Sequence, residues 1–207
     1  MQYVRLFNNN NNSHSDLEKI AQCLNNGGVA VIPTDTTYAL ACHALKQRAI
    51  ERICAIKKMN PEKHRFSIMG SSIAAFSQYV RIDNQTFKIL KQAFPGPYTF
   101  ILPASSHLPK IYSNRKEVGI RIPDHKIAMD ICNELDAPVM VSTVPYSESE
   151  DPGYLCNPEL IAESLENRID LMVDAGEGGS EMSTVISCID SEFTVLRQGK
   201  GPADFIL

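Results

Sequence analysis

A cluster of hydroxyl and carboxylate side chains follows the first strongly apolar run of the chain. The segment from Thr34 to Tyr38 contains three threonines, one aspartate and one tyrosine, directly after an apolar run at residues 28–33. Ligands of open α/β sheets bind beyond the carboxyl ends of strands, so these side chains are candidates for binding a polar substrate. The same residue types are typical of a turn in which Thr and Asp side chains bind their own backbone. Residue types alone leave both interpretations open.

Basic side chains occur at three places where an anion would find a partner. Lys57 and Lys58 end a predicted helix, where positive charge also complements the helix dipole without any ligand. Arg121 lies inside an apolar strand at residues 118–122, and a buried arginine needs an anion from the protein or from a ligand. Arg197 ends the last predicted strand and adds a second cation of the same kind.

Hydroxyl side chains mark the ends of two further predicted strands. Ser142 and Thr143 end one strand, and Ser183 and Thr184 begin another. Hydroxyls and backbone amides at such ends bind phosphate. The sequence contains no GxxxxGK[ST] loop, GxGxxG turn, GxSxG elbow or HExxH pair, so any nucleotide is bound by another arrangement. The six cysteines form no CxxC pair and no compact Cys/His cluster, so no metal site is predicted.

Helical and strand patterns alternate along the whole chain. Helices are predicted at residues 15–25, 47–58, 71–79, 83–93 and 125–135, with Asp124 capping the last of these and a sixth helix opening at Asn157. Strands are predicted at residues 2–7, 28–33, 65–69, 98–102, 118–122, 139–143, 171–174, 184–190 and 193–197. This interleaving predicts one α/β domain over residues 1–207, built on a mixed sheet, with a flexible asparagine-rich loop at residues 8–12.

The net charge conceals an uneven distribution. The 207 residues include 20 Lys and Arg against 24 Asp and Glu, a net charge of −4, which argues against coating nucleic acid through bulk charge. Residues 44–65 nevertheless carry +5, and residues 146–182 carry −9. The basic segment predicts a local phosphate or RNA site that includes Lys57, Lys58, Lys63 and Arg65. The sequence has no membrane-spanning apolar run and no secretory leader, so we expect a cytoplasmic protein.

Several motifs occur in an order that resembles one family. They are residues 27–40 (GGVAVIPTDTTYAL), 52–58 (RICAIKK), 95–100 (PGPYTF), 119–125 (GIRIPDH), 142–143 (ST) and 183–185 (STV). Together they resemble the YrdC-like threonylcarbamoyl-adenylate (threonylcarbamoyl-AMP) synthase family over about residues 17–199, and residues 64–69 (HRFSIM) are similar to its YciO branch. The resemblance implies a twisted mixed β-sheet with helices packed around a deep, positively lined cavity.

The resemblance also implies ligands and roles. In the synthases, L-threonine and bicarbonate form an N-carboxy-threonine that attacks the α-phosphate of ATP, and the product serves tRNA threonylcarbamoyladenosine modification. Thr34 and Tyr38 would contact the threonyl part, Arg121 its carboxylate, and Lys57 the carbonyl or phosphate oxygens. The residues that would line the nucleotide are Ser142, Thr143, Ser183, Thr184 and Arg197. The implied cofactors are ATP or AMP with Mg²⁺ as a companion ion, and RNA such as tRNA is an implied partner.

Three positions depart from the pattern of the family. Met59 stands where the synthases usually have an arginine, and Val144 and Tyr146 stand where they usually have serine and asparagine. Loss of a preorganised donor typically costs a factor of ~10² or more in rate, so we expect a nucleotide- and RNA-binding protein with weak or altered synthase activity. Two alternatives stay open: a non-catalytic module for double-stranded RNA or tRNA, and a hydrolase of a carbamoyl adenylate or modified nucleoside. The oligomeric state is left open.

Overall fold

Ten strands and six helices make up the computed structural model, which describes residues 1–7, 13–61, 64–113, 116–146, 152–189 and 192–206. The strands are β1 (Gln2–Arg5), β2 (Ala30–Ile32), β3 (Ala39–His43), β4 (Ser67–Met69), β5 (Tyr98–Pro103), β6 (Glu117–Arg121), β7 (Val139–Thr143), β8 (Leu171–Asp174), β9 (Thr184–Ile189) and β10 (Glu192–Arg197). The helices are α1 (His14–Asn25), α2 (Gln47–Lys57), α3 (Asn84–Ala93), α4 (Lys110–Ser113), α5 (Lys126–Leu135) and α6 (Pro158–Ser164). The predicted loop at residues 8–12 lies outside the described residues.

All ten described strands belong to one sheet with the order β1-β8-β2-β3-β7-β4-β6-β5-β9-β10. Four neighbouring pairs are parallel, namely β1 with β8, β8 with β2, β4 with β6, and β5 with β9. The other five pairs are antiparallel. The sheet is therefore mixed, which confirms the predicted α/β fold class.

The two faces of the sheet pack against different helices. Side chains alternate between the faces of a strand, so neighbouring residues join different apolar clusters. Leu40, Ile68 and Phe100 face a cluster that includes residues of α2, α3 and α6. Ala41 and Met69 face a second cluster, formed with α1 and α5. No described residue of β5, β6 or β9 belongs to this second cluster, so α1 and α5 leave that part of their face uncovered.

Two of the described helices begin at side-chain caps. Asn157 Oδ1 accepts from the backbone N–H groups of Glu159 and Leu160, which confirms the predicted start of α6. Asp83 caps α3 in the same way through Thr86 N–H. The predicted cap at Asp124 is wrong, because α5 has His125 at its N-cap and no side-chain cap bond. Among the described residues, none of the helices combines the length and the apolar composition that a membrane span requires.

Strand β3 was not predicted, although it lies near the centre of the sheet. Its five residues are all buried, so they show no alternation of polar and apolar side chains. Three of them are alanine or cysteine, which have little strand preference of their own. Pairing with β2 and β7 on its two sides makes this segment a strand. Only tertiary pairing could reveal it.

The helix predicted at residues 71–79 is wrong. The structure has a single 3₁₀ turn there, Ala74–Phe76. Phe76 is fully buried, and Val80 forms an antiparallel bridge with Ala104 a few residues later. The chain therefore returns to the sheet before a second helical turn can form. The apolar spacing that predicted a helix therefore comes from Phe76 and Val80, the two residues that attach this segment to the core and the sheet.

Candidate functional site

A cavity of about 410 Å³ lies over the part of the sheet that α1 and α5 leave uncovered. Residues two apart on a strand share a face, so alternate positions of β5 and β7 form its floor. These are Thr99 and Ile101 of β5 and Val141 and Thr143 of β7. The rest of the lining is Thr37, Ala39, Lys57, Met59, His64, Arg65, Ser67, Arg121, Ser142, Met182, Ser183, Val185, Leu196 and Arg197.

A larger cavity, about 670 Å³, lies where the ends of β1 and β8 meet the start of α6. Its charged lining combines Arg5 with Asp174, Glu159 and Glu177. Arg5 is already bound to the Asp174 carboxylate at 2.8 Å. This mixture gives no excess of positive charge, so size alone does not make it the better site for a phosphate or carboxylate. The smaller cavity is the candidate.

Arg121 is the buried centre of the candidate cavity. Its Nη2 donates to Asp35 Oδ1 at 2.5 Å and to Thr36 Oγ1 at 2.6 Å, and lies 3.3 Å from Thr34 Oγ1. The side chains of Arg121 and Asp35 are 9% and 7% exposed, so water does little to screen the pair. The sequence left open whether a protein group or a ligand would neutralise Arg121. The structure supplies Asp35, while Arg121 still lines the cavity.

Three buried polar atoms around this pair have no hydrogen-bond partner among the described residues. They are Arg121 Nε, Asp35 Oδ2 and His125 Nδ1. Burial lowers the pKa of His125, the Arg121 charge lowers it further, and the Asp35 charge opposes both. Buried polar groups are normally satisfied. A donor and an acceptor are therefore still available beside the ion pair.

Lys57 enters the cavity from the last turn of α2. Its Nζ donates to the carbonyl oxygen of Thr143, at the end of β7, at 2.5 Å. Burial lowers the pKa of Lys57, because a low-dielectric environment disfavours the charged ammonium. Lys58 follows in a left-handed conformation, with φ of 53°, and is exposed outside the lining. The two neighbouring lysines therefore have different environments.

Ser183 holds Arg197, which is the last residue of the described lining in sequence order. Its Nη2 donates to the Ser183 carbonyl oxygen at 2.9 Å and lies 3.4 Å from Ser183 Oγ. Ser183 Oγ is in turn 3.0 Å from Thr99 Oγ1. Burial lowers the pKa of Arg197, and the positive charge of Arg121 lowers it further. The two guanidinium groups repel each other, and an anion between them would relieve that repulsion.

The cavity lining is strongly positive. It contains four Lys or Arg side chains and no Asp or Glu among the described residues. Arg65 is paired with Glu117 at 2.7 Å, and Arg121 with Asp35. Lys57 and Arg197 have no carboxylate partner within the described residues. Lys57 is half-buried and Arg197 is exposed at the mouth of the cavity. A concave site lined by charges of one sign strengthens the attraction for an anion.

The structure brings seven of the predicted site residues to this cavity. These are Lys57, Arg65, Arg121, Ser142, Thr143, Ser183 and Arg197. Four others lie outside the lining: Thr34, Tyr38, Lys58 and Thr184. Lys63 lies outside the described residues. Thr34 still contributes indirectly, because its hydroxyl donates to Thr37 O at 2.7 Å and so fixes the loop that holds Arg121.

Tyr38 and Thr184 point to the opposite face of the sheet from the cavity. Tyr38 is 1% exposed, and its hydroxyl donates to Gly176 O at 2.7 Å and accepts from Ala175 N at 3.0 Å. Burial raises the pKa of Tyr38 to about 12. Thr184 is fully buried, and its hydroxyl is bound to the backbone at Gly201. Neither side chain has a free donor directed at the cavity.

The three departures from the family pattern lie in different environments. Met59 lines the cavity, so a thioether stands where an arginine would add a cation. Val144 is 1% exposed and belongs to the apolar cluster on the other face. Tyr146 is 40% exposed. Only Met59 therefore alters the described lining directly.

Some contributing residues were not singled out from the sequence. Thr99 is an aliphatic hydroxyl residue in an otherwise apolar strand, and that single polar position was the available signal. Met182 and Leu196 line the cavity but are ordinary apolar residues in sequence. Lys200 donates to Asp35 O at 2.7 Å, across 165 positions of sequence. No local pattern predicts a contact of that range.

Comparison with known proteins places the chain in a family. Residues 22–199 match the model of the Sua5_yciO_yrdC family, which carries the description "Telomere recombination". The chain therefore belongs to the Sua5/YciO/YrdC family, as the sequence motifs predicted.

Relatives of known structure share the fold over nearly the whole chain. The crystal structure of YciO from Escherichia coli has a TM-score of 0.88 at 31% identity, and the match covers 100% of this chain and 98% of that one. Sua5 from P. abyssi, solved in complex with L-threonine, has a TM-score of 0.83 at 25% identity, covering 96% of this chain and 57% of that one. A threonylcarbamoyl-AMP synthase from Hydrogenovibrio crunogenus is 33% identical over 66% of this chain and 75% of its own length.

The buried pair predicts a large stability difference between two carboxylate-to-amide variants. Asp35→Asn removes the charge that neutralises buried Arg121, so the free energy of unfolding should fall by about 3 kcal/mol. Glu117→Gln removes the partner of Arg65, whose side chain is 41% exposed, and should cost about 1 kcal/mol or less. Urea denaturation of both variants measures this difference. Equal losses would contradict the central role of the Asp35–Arg121 pair.

Proposed function

We propose that the cavity binds an adenylate: ATP, AMP, or the acyl adenylate formed from ATP and N-carboxy-threonine. The proposal rests on Lys57 and Arg197, which have no carboxylate partner among the described residues and share the cavity with the hydroxyls of Thr99 and Ser183. Cations next to hydroxyl donors are the usual partners of phosphate oxygens. L-threonine bound to the related Sua5 supports a threonyl part of the ligand.

Each group has a defined task in this proposal. Lys57 and Arg197 bind the phosphate, with Ser142, Thr143 and Ser183 lining the nucleotide. Arg121 binds the carboxylate of the threonyl part through its Nε–H group, which has no partner among the described residues. We assign no direct ligand contact to Tyr38 or Thr184, because their hydroxyls are engaged on the other face of the sheet.

The synthase reaction would use these cations as fixed electrostatic donors. An oxygen of the N-carboxy group attacks the α-phosphorus of ATP, the bond to the β-phosphate oxygen breaks, and pyrophosphate leaves. Preorganised cations stabilise the charge that develops at the transferred phosphoryl group. We propose that turnover is slow in this chain, because Met59 lines the cavity in place of a further cation and one missing donor costs a factor of ~10² or more.

Mg²⁺ would reach this cavity with the nucleotide rather than as a resident ion. The described lining offers hydroxyl oxygens but no carboxylate. Mg²⁺ in nucleotide sites is usually held by one or two carboxylates together with substrate phosphates. The alternative of a hydrolase stays a prediction, because His64 also lines the cavity and imidazole is a common general base for water.

Binding and turnover can be measured in the same samples of purified protein. Titration calorimetry with AMP, ATP and threonylcarbamoyl-adenylate should show saturable binding. Arg197→Met should weaken it at least about tenfold, since a charge-assisted contact is lost. Lys88→Met, on α3 outside the cavity, is the control with the same charge change and should have no effect.

Pyrophosphate release that depends on L-threonine and bicarbonate should be slow in this chain and faster in Met59→Arg. Release as fast as in an active synthase would contradict the proposed slow turnover, while absence of adenylate binding would contradict the proposed function.

Binding should also depend on pH through Lys57. Because burial lowers the pKa of Lys57, its charge is lost at a lower pH than the ordinary value of about 10.4. The phosphate of AMP keeps its charge above about pH 7. The affinity for AMP should therefore fall as pH rises through the lowered pKa. In Lys57→Arg, whose guanidinium stays charged, the fall should be much smaller, and identical pH profiles would exclude Lys57 from the phosphate site.

RNA binding by the basic segment stays a prediction. Lys58 and Arg65 are exposed, whereas Lys57 is directed into the cavity. Reversing the charge of Lys58, Lys63 and Arg65 to glutamate should weaken tRNA binding and reduce the slope of log affinity against log salt by about two. The matched control reverses three exposed cations elsewhere, at Arg81, Lys88 and Lys91. Equal effects of the two triple variants would exclude a specific RNA site in the basic segment.

A further inference from the structure

The turn that follows β10 is packed closely against the start of β9. Lys200 N donates to Met182 O at 2.9 Å. A side chain at Gly199 would collide with that same carbonyl, and one at Gly201 would collide with the ring of Tyr98. The backbone of residues 199–201 can take this position only because glycines flank Lys200. The direction in which Lys200 leaves the backbone is therefore set by the fold.

One buried hydroxyl holds both sides of this turn. Thr184 Oγ1 donates to Gly201 O at 2.6 Å and accepts from Gly199 N at 3.0 Å. Thr184 is fully buried, and its own N–H donates to Pro97 O at 2.9 Å. A valine of the same shape would provide neither bond. Thr184 thus links the core of the sheet to the backbone on each side of Lys200.

The side chain of Lys200 reaches the loop that holds Arg121. Its Nζ donates to Asp35 O at 2.7 Å, and the Asp35 carboxylate is the partner of Arg121. Lys200 is exposed and has no carboxylate partner among the described residues. A neutral carbonyl is a weaker partner for an ammonium group than a phosphate or carboxylate is. Lys200 is therefore a cation whose charge is not neutralised, and it lies beside Asp35, the partner of the cavity residue Arg121.

We propose that Lys200 is a further anion-binding residue of this cavity and that Thr184 is its positioning residue. The inference rests on the proposed function in requiring an anionic ligand, but it concerns a cation outside the described lining. When the ligand enters, the ammonium group of Lys200 exchanges the Asp35 carbonyl for an oxygen of the ligand. Thr184 acts only through the turn and does not touch the ligand.

A double-mutant cycle tests this arrangement, with AMP and inorganic pyrophosphate as the probes in titration calorimetry. Lys200→Met should weaken binding of at least one probe about tenfold, because a charge-assisted contact is lost. Thr184→Val should weaken it by a similar factor, and the double variant should bind no worse than either single variant. Thr184→Ser, which keeps the hydroxyl, should restore binding, and Lys88→Met is the control for charge.

Different results separate this inference from the proposed function. If the wild-type chain binds neither probe, the role of Lys200 is overturned. If it also binds neither ATP nor threonylcarbamoyl-adenylate, the proposed function fails as well. If it binds and Lys200→Met behaves like Lys88→Met, only the inference is overturned. Multiplying losses in the double variant would overturn the positioning role of Thr184. Because Lys200 is exposed, its variant decides the ligand contact even if Thr184→Val does not fold.

Discussion

The buried ion pair between Arg121 and Asp35 is the contact on which the architecture of the site depends. It joins β6 to the loop between β2 and β3, and the hydroxyls of Thr34 and Thr36 complete it. A buried arginine without a partner would be too costly to keep in the sheet, and Asp35 supplies that partner from the protein itself. Within the pair, the donor Arg121 Nε and the acceptor Asp35 Oδ2 have no partner among the described residues. The same contact therefore holds the loop in place and leaves hydrogen-bonding capacity for a ligand.

The position of the cavity follows from how the helices cover the sheet. Helices α1 and α5 pack over one part of a face, and the part that carries β5, β6 and β9 stays open. Cations reach this open part from α2, β6 and β10, which are distant in sequence. The charge of Arg121 repels that of Arg197, and the described lining holds no carboxylate, since Asp35 lies outside it. The fold thus maintains an electrostatic strain that an anionic ligand would relieve.

Membership of the Sua5/YciO/YrdC family bears on the fold, whereas the side chains that line the cavity bear on binding and catalysis. The family relation accounts for the fold, and the structure brings Lys57, Arg121 and Arg197 to one cavity. Met59 places an apolar side chain in this cavity, whereas Val144 packs in the core and Tyr146 lies at the surface. Binding and catalysis need not change together, because a site that holds an adenylate can lack a group that stabilises the transition state.

The fold class, most element positions and the main cations could be predicted from the sequence, because hydrophobic period, caps and motifs are local. The sequence identified the start of α6 at Asn157 and the need of Arg121 for an anion. It missed β3, which is buried on both faces, and it mistook two anchor points around Phe76 for a helix. Three features could be found only in the folded chain. Asp35 neutralises Arg121, Tyr38 and Thr184 face away from the cavity, and Lys200 approaches Asp35. These contacts join residues far apart in sequence, so strand order and packing set them rather than any local pattern.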